Sequence, residues 1–401
     1  MLKSEGPIGD TVTDALLPLN AAVLVGNGLS IAFNSELNLA SITTEMISRM
    51  ENASEDGDKV VHAMNQIARR AVSEGEVTNE DFEKLVGAFD SQVLTLDELS
   101  KLADLVASED TELRQSIQEV AAFSQKVRDM GISYVLEVIM ERSRGDWTLH
   151  DEMHQLVQSI IDDFNGNVYL GNLNYDTLLL SALKAVGAPM SDMAHGNARF
   201  LIRVKDENNP EDEGVSYTVT RLRRKLDFPV GPKHRVRLIH LHGSLTYWRS
   251  TESDLHFKAP VEVLRNHAMW AGLRHADPKW RPAVVLANQR DKAHHVGRYP
   301  FKLAYEAFQE GLSVSQHWLI IGYSFRDACV NDILRNEFIR RKVKPHVLIS
   351  TYGDYPTSEE VEMAFGWGAE DEDSSHWLTI NREGARGLQE SLDWAVFTSW
   401  T

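Results

Sequence analysis

Residues 22–33, AVLVGNGLSIAF, decide how the rest of the chain is read. An apolar run from Ala21 to Val25 stops at Gly26-Asn27-Gly28-Leu29-Ser30, and apolar residues resume at Ile31, Ala32 and Phe33. The pattern predicts a buried strand, a tight glycine turn and the start of a helix. Backbone N–H groups at such a helix start can receive a phosphate, and glycine lets the backbone approach its oxygens. Ser30 adds a hydroxyl donor. Ile31 takes the place of the third glycine of a full GxGxxG, so the turn also reads as purely structural.

Around this stretch lie 401 residues, room for one large domain with insertions or for two to three smaller ones. An apolar fraction of 43% and a charged fraction of 25% are those of a soluble globular protein. No apolar run reaches the ~20 residues of a membrane span, and MLKSEGPIGDTVTD has no signal-peptide core. One cysteine, Cys329, rules out an internal disulfide and a cysteine-based zinc site, and fits a reducing cytoplasm. A net charge of −18 argues against general nucleic-acid binding, which needs clustered Lys and Arg. Arg221–Lys225 and Arg340–Lys344 are local basic runs and read as solvated faces.

Residues 1–20 form a polar lead-in, and Leu37–Met50 has helical spacing. From about Glu51 to Phe164 the chain is acidic, proline-free and helical. Phe82, Leu85, Val86 and Phe89 form one apolar stripe. Thr95 and Glu98 read as a capping box, and Thr148 starts a third stripe, Met153 to Phe164. Four to six helices are expected, forming their own layer. Strands are predicted at Val168–Leu173, Val236–Leu241, Ala283–Ala287, Trp318–Ile321 and Val347–Ser350, with helices at Thr177–Val186, Pro300–Leu312 and Asp332–Ile339. Residues 195–236 read as irregular or β-like, with a loop tip at Asn208–Gly214. A helix is expected near Leu388–Trp394. Alternating short strands and helices imply a mostly parallel α/β sheet covered on both faces.

Polar or glycine-bearing turns follow four of these strands, at Gly26, Asn174, His242 and Gly322. In an open α/β sheet that edge is where ligands bind. Asn174, at a strand end, can reach a ligand. Asp176 either positions a neighbour or caps the next helix. His242 ends an apolar strand before Gly243. His195-Gly196 is a rival pair without a preceding strand, and His240 would share a sheet face with His242 if the strand continued. His294-His295 is the one adjacent histidine pair. GxxxxGK[ST], HExxH and GxSxG are absent, so P-loop, zincin and α/β-hydrolase chemistry have no support.

Gly26-Asn27-Gly28-Leu29-Ser30, Leu173-Asn174-Tyr175-Asp176, Leu241-His242-Gly243-Ser244 and Gly322-Tyr323-Ser324 occur in this order. With them the chain resembles the SIR2 (sirtuin-like) superfamily. It is similar to the bacterial SIR2-like proteins of anti-phage defence, including those paired with a HerA-type ATPase. The likeness spans roughly 20–50 and 165–355. It implies a Rossmann-like fold binding NAD+. Gly26, Asn27, Gly28 and Ser30 would form the phosphate turn. Asn174 and Asp176 would face the nicotinamide ribose, and His242 would be the catalytic histidine. Gly322 and Ser324 would hold the adenosine side, with Ser350 near the adenine ribose. Two departures stand out. The four-cysteine zinc ribbon of the deacetylases cannot be built here. Their Gly-Ile-Pro-x-Phe-Arg segment is replaced by Phe33-Asn34-Ser35-Glu36-Leu37.

The resemblance therefore implies a cytoplasmic NAD+ hydrolase that releases nicotinamide and ADP-ribose and uses no metal. Asn174, His242 and Asp176 would carry catalysis. An NAD+ or ADP-ribose sensor without chemistry, or a protein ADP-ribosyltransferase or deacylase, would use the same motifs. The expected organisation is a Rossmann domain over 1–50 and 165–355, a helical insertion over 51–164, and a tail over 356–401 packing on the core or on partners. A homo-oligomer and a HerA-type ATPase are the expected assemblies, with no nucleic acid and no membrane.

Overall fold

The computed structural model describes residues 19–71, 81–106, 111–144, 149–206, 209, 211–275, 278–287, 289–368 and 371–400. Most of the polar lead-in, the helix start at Thr148, and part of the loop tip at 208–214 lie outside them. β1 (Ala21–Val25) runs into α1 (Asn27–Phe33), and α2 (Leu39–Glu51) follows. Next come α3 (Gly57–Ala71), α4 (Phe82–Val106), α5 (Thr111–Arg142) and α6 (His150–Asp162). β2 (Val168–Asn172), α7 (Leu178–Ala185) and β3 (Met190–Asp192) lead to β4 (Ala194–Val204), β5 (Val215–Leu222) and β6 (Val236–His240). β7 (Gly243–Ser250), β8 (His256–Lys258), α8 (Val261–Leu264), α9 (His267–Leu273) and β9 (Trp280–Val284) follow. The remainder is α10 (Gln289–Val296), α11 (Phe301–Val314), β10 (His317–Ile321), α12 (Ala328–Arg340) and β11 (His346–Ser350), then α13 (Ser358–Phe365), β12 (Leu378–Asn381) and α14 (Leu392–Ser399).

Seven strands pair in the order β12-β11-β10-β1-β2-β6-β3, and every neighbouring pair is parallel. With helices on both faces this is an α/β Rossmann-like fold. β1, β2 and β10 are buried along their whole length, as strands covered on both faces must be. Alternate residues feed two cores: Ala21, Val23 and Val25 enter one, Ala22 and Leu24 the other. β1, the first described strand, lies in the middle of the sheet; β2 pairs with it, β3 forms the edge on that side, β6 then fills the place between them, and the chain returns to build β10, β11 and β12 on the other side. The order reverses between β1 and β10, and a crevice opens beyond the carboxyl ends of strands at such a point.

Helices α2 to α5 pack on one another as a layer, whereas α6 packs on α7 and α1. Thr95 and Glu98 do not start a helix. They lie inside α4, which runs on through Gly87 and contains no proline. The stretch read as irregular or β-like supplies β4 and β5 of a second sheet, β4-β5-β8-β7-β9, antiparallel throughout. The strand expected at Ala283–Ala287 is Trp280–Val284, and it pairs with β7 in this second sheet rather than joining the parallel one. A short apolar run announces burial but not which sheet it joins. The tail supplies β12, which extends the parallel sheet beyond β11. α14 buries Trp394 and Phe397, and Trp394 Nε1 donates to Asp163 Oδ2 at 2.8 Å. No described helix is long and apolar enough to cross a membrane.

Candidate active site at the switch point

The Gly26 and Gly322 turns meet backbone to backbone. Gly26 N donates to Ile321 O at 2.9 Å and Gly28 N to Gly322 O at 2.9 Å, while Gly322 N donates to Ser350 O at 2.8 Å. The ends of β1, β10 and β11 are thereby tied together at the reversal. A Cβ on Gly28 would lie 2.6 Å from Gly322 Cα, and one on Gly26 would lie 2.6 Å from Gly322 O. Gly322 itself has φ +61, a left-handed conformation that side chains disfavour. These glycines are thus demanded by each other. The Gly26 amide thus donates to the end of β10 and the Gly28 amide to the Gly322 turn. Asn27 Nδ2 points toward Leu37 O at 3.5 Å. Ser324 is exposed on its turn, while Ser350 Oγ, at the end of β11, is buried with no hydrogen-bond partner among the described residues. An orphaned hydroxyl beside the crevice suits a ligand hydroxyl or a water.

Ser30, Asn174 and Asp176 form one buried unit. Ser30 Oγ donates to Asp176 Oδ2 at 2.6 Å. Asn174 Nδ2 donates to Ser30 Oγ at 2.8 Å and to Gly26 O at 3.0 Å, and Asn174 N donates to Asn172 Oδ1 at 3.0 Å. The side chain is therefore oriented by its amide nitrogen, and Asn174 Oδ1 takes no hydrogen bond among the described residues. Asp176 Oδ1 accepts from Leu178 N at 2.9 Å, so this residue both caps α7 and fixes Ser30. Burial pushes the Asp176 carboxyl above its ordinary range, against the bonds from Ser30 and Leu178.

His242 lies just beyond β6, where Leu241 N donates to Asn172 O at 2.8 Å and keeps the two strand ends side by side. Its Nε2 is 3.1 Å from Asp327 Oδ2 and 3.3 Å from Tyr305 Oη. Lys292 Nζ is 3.0 Å from the same Asp327 oxygen and 3.7 Å from Glu83 Oε2. Tyr175 Oη lies within donating distance of Glu83 Oε1, 2.8 Å, and of Val285 O, 2.7 Å. Burial alone would raise the Asp327 carboxyl, but the His242 bond and the Lys292 charge hold it well below the usual carboxylate range. Burial and the Lys292 charge push His242 down against the pull of Asp327, so the imidazole is neutral near pH 7. Beside an ionised carboxylate the proton belongs on Nε2, and Nδ1 remains as the basic nitrogen. No described residue bonds to Nδ1.

The rival histidines go elsewhere. β6 ends at His240, so His240 and His242 do not continue one strand face. His240 packs on Tyr247 and contacts Asn172 Nδ2 at 3.3 Å through Nδ1. His195 is half-exposed on β4, 3.7 Å from Asp227. His294 and His295 lie on α10, and no group of three or more His, Cys, Asp or Glu that could hold a metal occurs among the described residues. A cleft of about 860 Å³ lies apart from the switch point, lined by Arg49, Tyr134, Glu137, Glu141 and Arg274, which are already paired with one another.

Three residues of the His242 network escape a reading of the sequence. Asp327 precedes a helix and looks like an N-cap, which it also is: its Oδ1 accepts from Cys329 N and Val330 N. Lys292 belongs to a polar segment without periodicity. Glu83 sits next to the Phe82 stripe of a helix far away in sequence. Only the capping position of Asp327 carried any local signal.

No curated protein matches the chain. Residues 170–366 match the family described as a SIR2-like domain. That span runs from β2 into the turn after α13 and includes Asn174, Asp176, His242, Lys292, Gly322 and Asp327. SIR2-like domains bind NAD+ and family members act on it, so the match fits an NAD-related activity and supports placing this chain in the SIR2 superfamily.

Proposed function

We propose that the protein hydrolyses the N-glycosidic bond of NAD+, releasing nicotinamide and ADP-ribose. The observation that carries this reading is His242, backed by Asp327 and two residues beyond the end of β6, a strand end that adjoins the Ser30–Asn174–Asp176 unit. Water is the second reactant, and one proton is released for each bond cleaved. Cationic nicotinamide leaves readily, so the protein needs to hold the ribose and activate one water rather than supply a strong acid. His242 Nδ1 accepts that proton from the water or a ribose hydroxyl. Asn174 Oδ1 orients the same group, and Asp176 acts through Ser30. The residues present suit the nucleotide: Ser350 Oγ lacks a partner and the Gly26 and Gly322 turns leave no side chain between them.

We further read this activity as NAD+ depletion in cytoplasmic anti-phage defence, restrained by assembly with itself or with a HerA-type ATPase. Leu99, Leu102, Leu105, Val120 and Phe123 are exposed on α4 and α5, an apolar face suited to such contacts. Light scattering on the purified chain tests the first, and a monomer throughout would refute it. A binding module without chemistry is the second reading, favoured by the deep burial of His242, whose side chain is 5% exposed. Purified protein incubated with NAD+, with and without a co-expressed ATPase partner, separates the two. Nicotinamide release supports hydrolysis, and NAD+ binding without release in either sample supports the sensor. Adding an acylated peptide distinguishes acyl or ADP-ribose transfer.

A further inference from the structure

We propose that Asp327 is the positioning residue of His242, held in place by Lys292 and by Glu83 of the helical layer, so that the layer helps to set the tautomer of the catalytic imidazole. The idea rests on the hydrolase reading for its functional half and on geometry for the rest. Asp327 cannot swing: Oδ1 accepts from Cys329 N at 3.0 Å and Val330 N at 3.2 Å, which fixes Oδ2 toward His242 and Lys292. Lys292 then bridges Asp327 to Glu83. Glu83 in turn meets Tyr175, the residue between Asn174 and Asp176. One carboxylate from α4 thus joins the His242 arm of the site to the Asn174–Asp176 arm.

A buried cluster of this kind is poor stabilisation, because desolvating its charges offsets much of their attraction. Its orientation serves the imidazole instead. The groups facing His242 are Asp327 at the start of α12, Lys292 on α10 and Tyr305 on α11, with Glu83 behind Lys292 and Tyr323 Oη on the Asp327 carbonyl. Of these, only Asp327 is an obligate acceptor at Nε2. It therefore places the proton there and leaves Nδ1 free to accept.

The test is ¹⁵N NMR of the full chain labelled at histidine, with the His242 signals assigned by loss in His242→Gln. The neutral ring of the wild type should be protonated at Nε2, read at pH 7 to 8. Asp327→Asn keeps the helix cap but presents an amide to the ring, and should shift the proton to Nδ1. In the same variant kcat for nicotinamide release should fall about 10²- to 10⁴-fold, with KM changed only a few-fold. Glu83→Gln should lower kcat less and leave the tautomer in place. A wild-type ring protonated at Nδ1 overturns the proposal, as does an Asp327→Asn protein with unchanged tautomer and unchanged kcat. The wild-type spectrum requires no variant, so poor folding of Asp327→Asn leaves the test standing. Absence of nicotinamide release from the wild type would defeat the hydrolase reading alone, and the tautomer would still be read.

Discussion

Asp327 Oδ2 sits 3.1 Å from His242 Nε2, while the other oxygen of the same carboxylate caps α12. A single side chain thus joins a helix start to the imidazole just beyond β6. Lys292 makes that arrangement possible, since a carboxylate buried to 8% exposure needs a counter-charge.

Lys292→Met removes the counter-charge from both Asp327 and Glu83. The buried Asp327 carboxylate and the half-buried Glu83 would then lose the cation they share. Breaking a buried pair from one side costs about 3–5 kcal/mol. Urea unfolding at pH 7 should show a loss of that order. A loss under about 1 kcal/mol would mean that the cluster is wet and its charges are screened.

Gly28→Ala tests the meeting of the two turns. Its Cβ would lie 2.6 Å from Gly322 Cα, a backbone atom that cannot rotate aside. Overpacking at such a contact costs about 1–3 kcal/mol, against the small gain alanine brings to an ordinary helix position. Thermal unfolding should therefore shift down. A variant as stable as the wild type would show that the turns separate easily, and would return Gly28 to the role of leaving room for a phosphate.

Asn174→Ala removes the donor to Gly26 O and Ser30 Oγ. Gly26 O keeps the Leu29 amide and Ser30 Oγ keeps Asp176, so each loses one of its partners, at about 0.5–1.5 kcal/mol per hydrogen bond. Nicotinamide release should fall below detection while calorimetry still registers NAD+ binding, because the Gly322 and Ser350 side is untouched. Loss of binding together with early melting would make Asn174 a structural residue only.

The parallel sheet was legible because buried strands such as Ala21–Val25 and Trp318–Ile321 are unbroken apolar runs that end in turn residues. β12 was not, since Leu378–Asn381 is short and half polar and gains its identity from β11. The second sheet escaped for a related reason: β4 and β5 carry exposed faces and read as irregular. Within the site, Asn174 and His242 announced themselves by standing at strand ends. Lys292 and Glu83 could not, because what brings them to Asp327 is the packing of α10 and α4 across the strand ends, and nothing local in either sequence records it.

His240 carries the pH dependence expected of the fold. Its ring is buried, Asn172 sits at Nδ1, Tyr247 covers the ring, the Asn174 backbone lies beside it, and the Lys258–Asp192 ion pair lies nearby. Burial, then the charge of Lys258, lower its pKa to about 3, with Asp192 opposing only in part. The unfolded chain takes up a proton near pH 6.5 and the folded chain does not. The contribution of this neutral ring is therefore complete above about pH 6.5 and is lost as pH falls from there toward 3. The slope is about 1.4 kcal/mol per pH unit, or about 2 kcal/mol by pH 5. His240→Gln has no proton to take up there. Unfolding free energies measured in urea at pH 7, 6 and 5 should fall less steeply for the variant, by about one proton's worth of slope. His256 and His317, each lowered to about 4 by burial, are present in both proteins and cancel in the difference. Equal slopes would mean that His240 is protonated in the folded protein and that the Asp192 carboxylate, rather than burial, controls it.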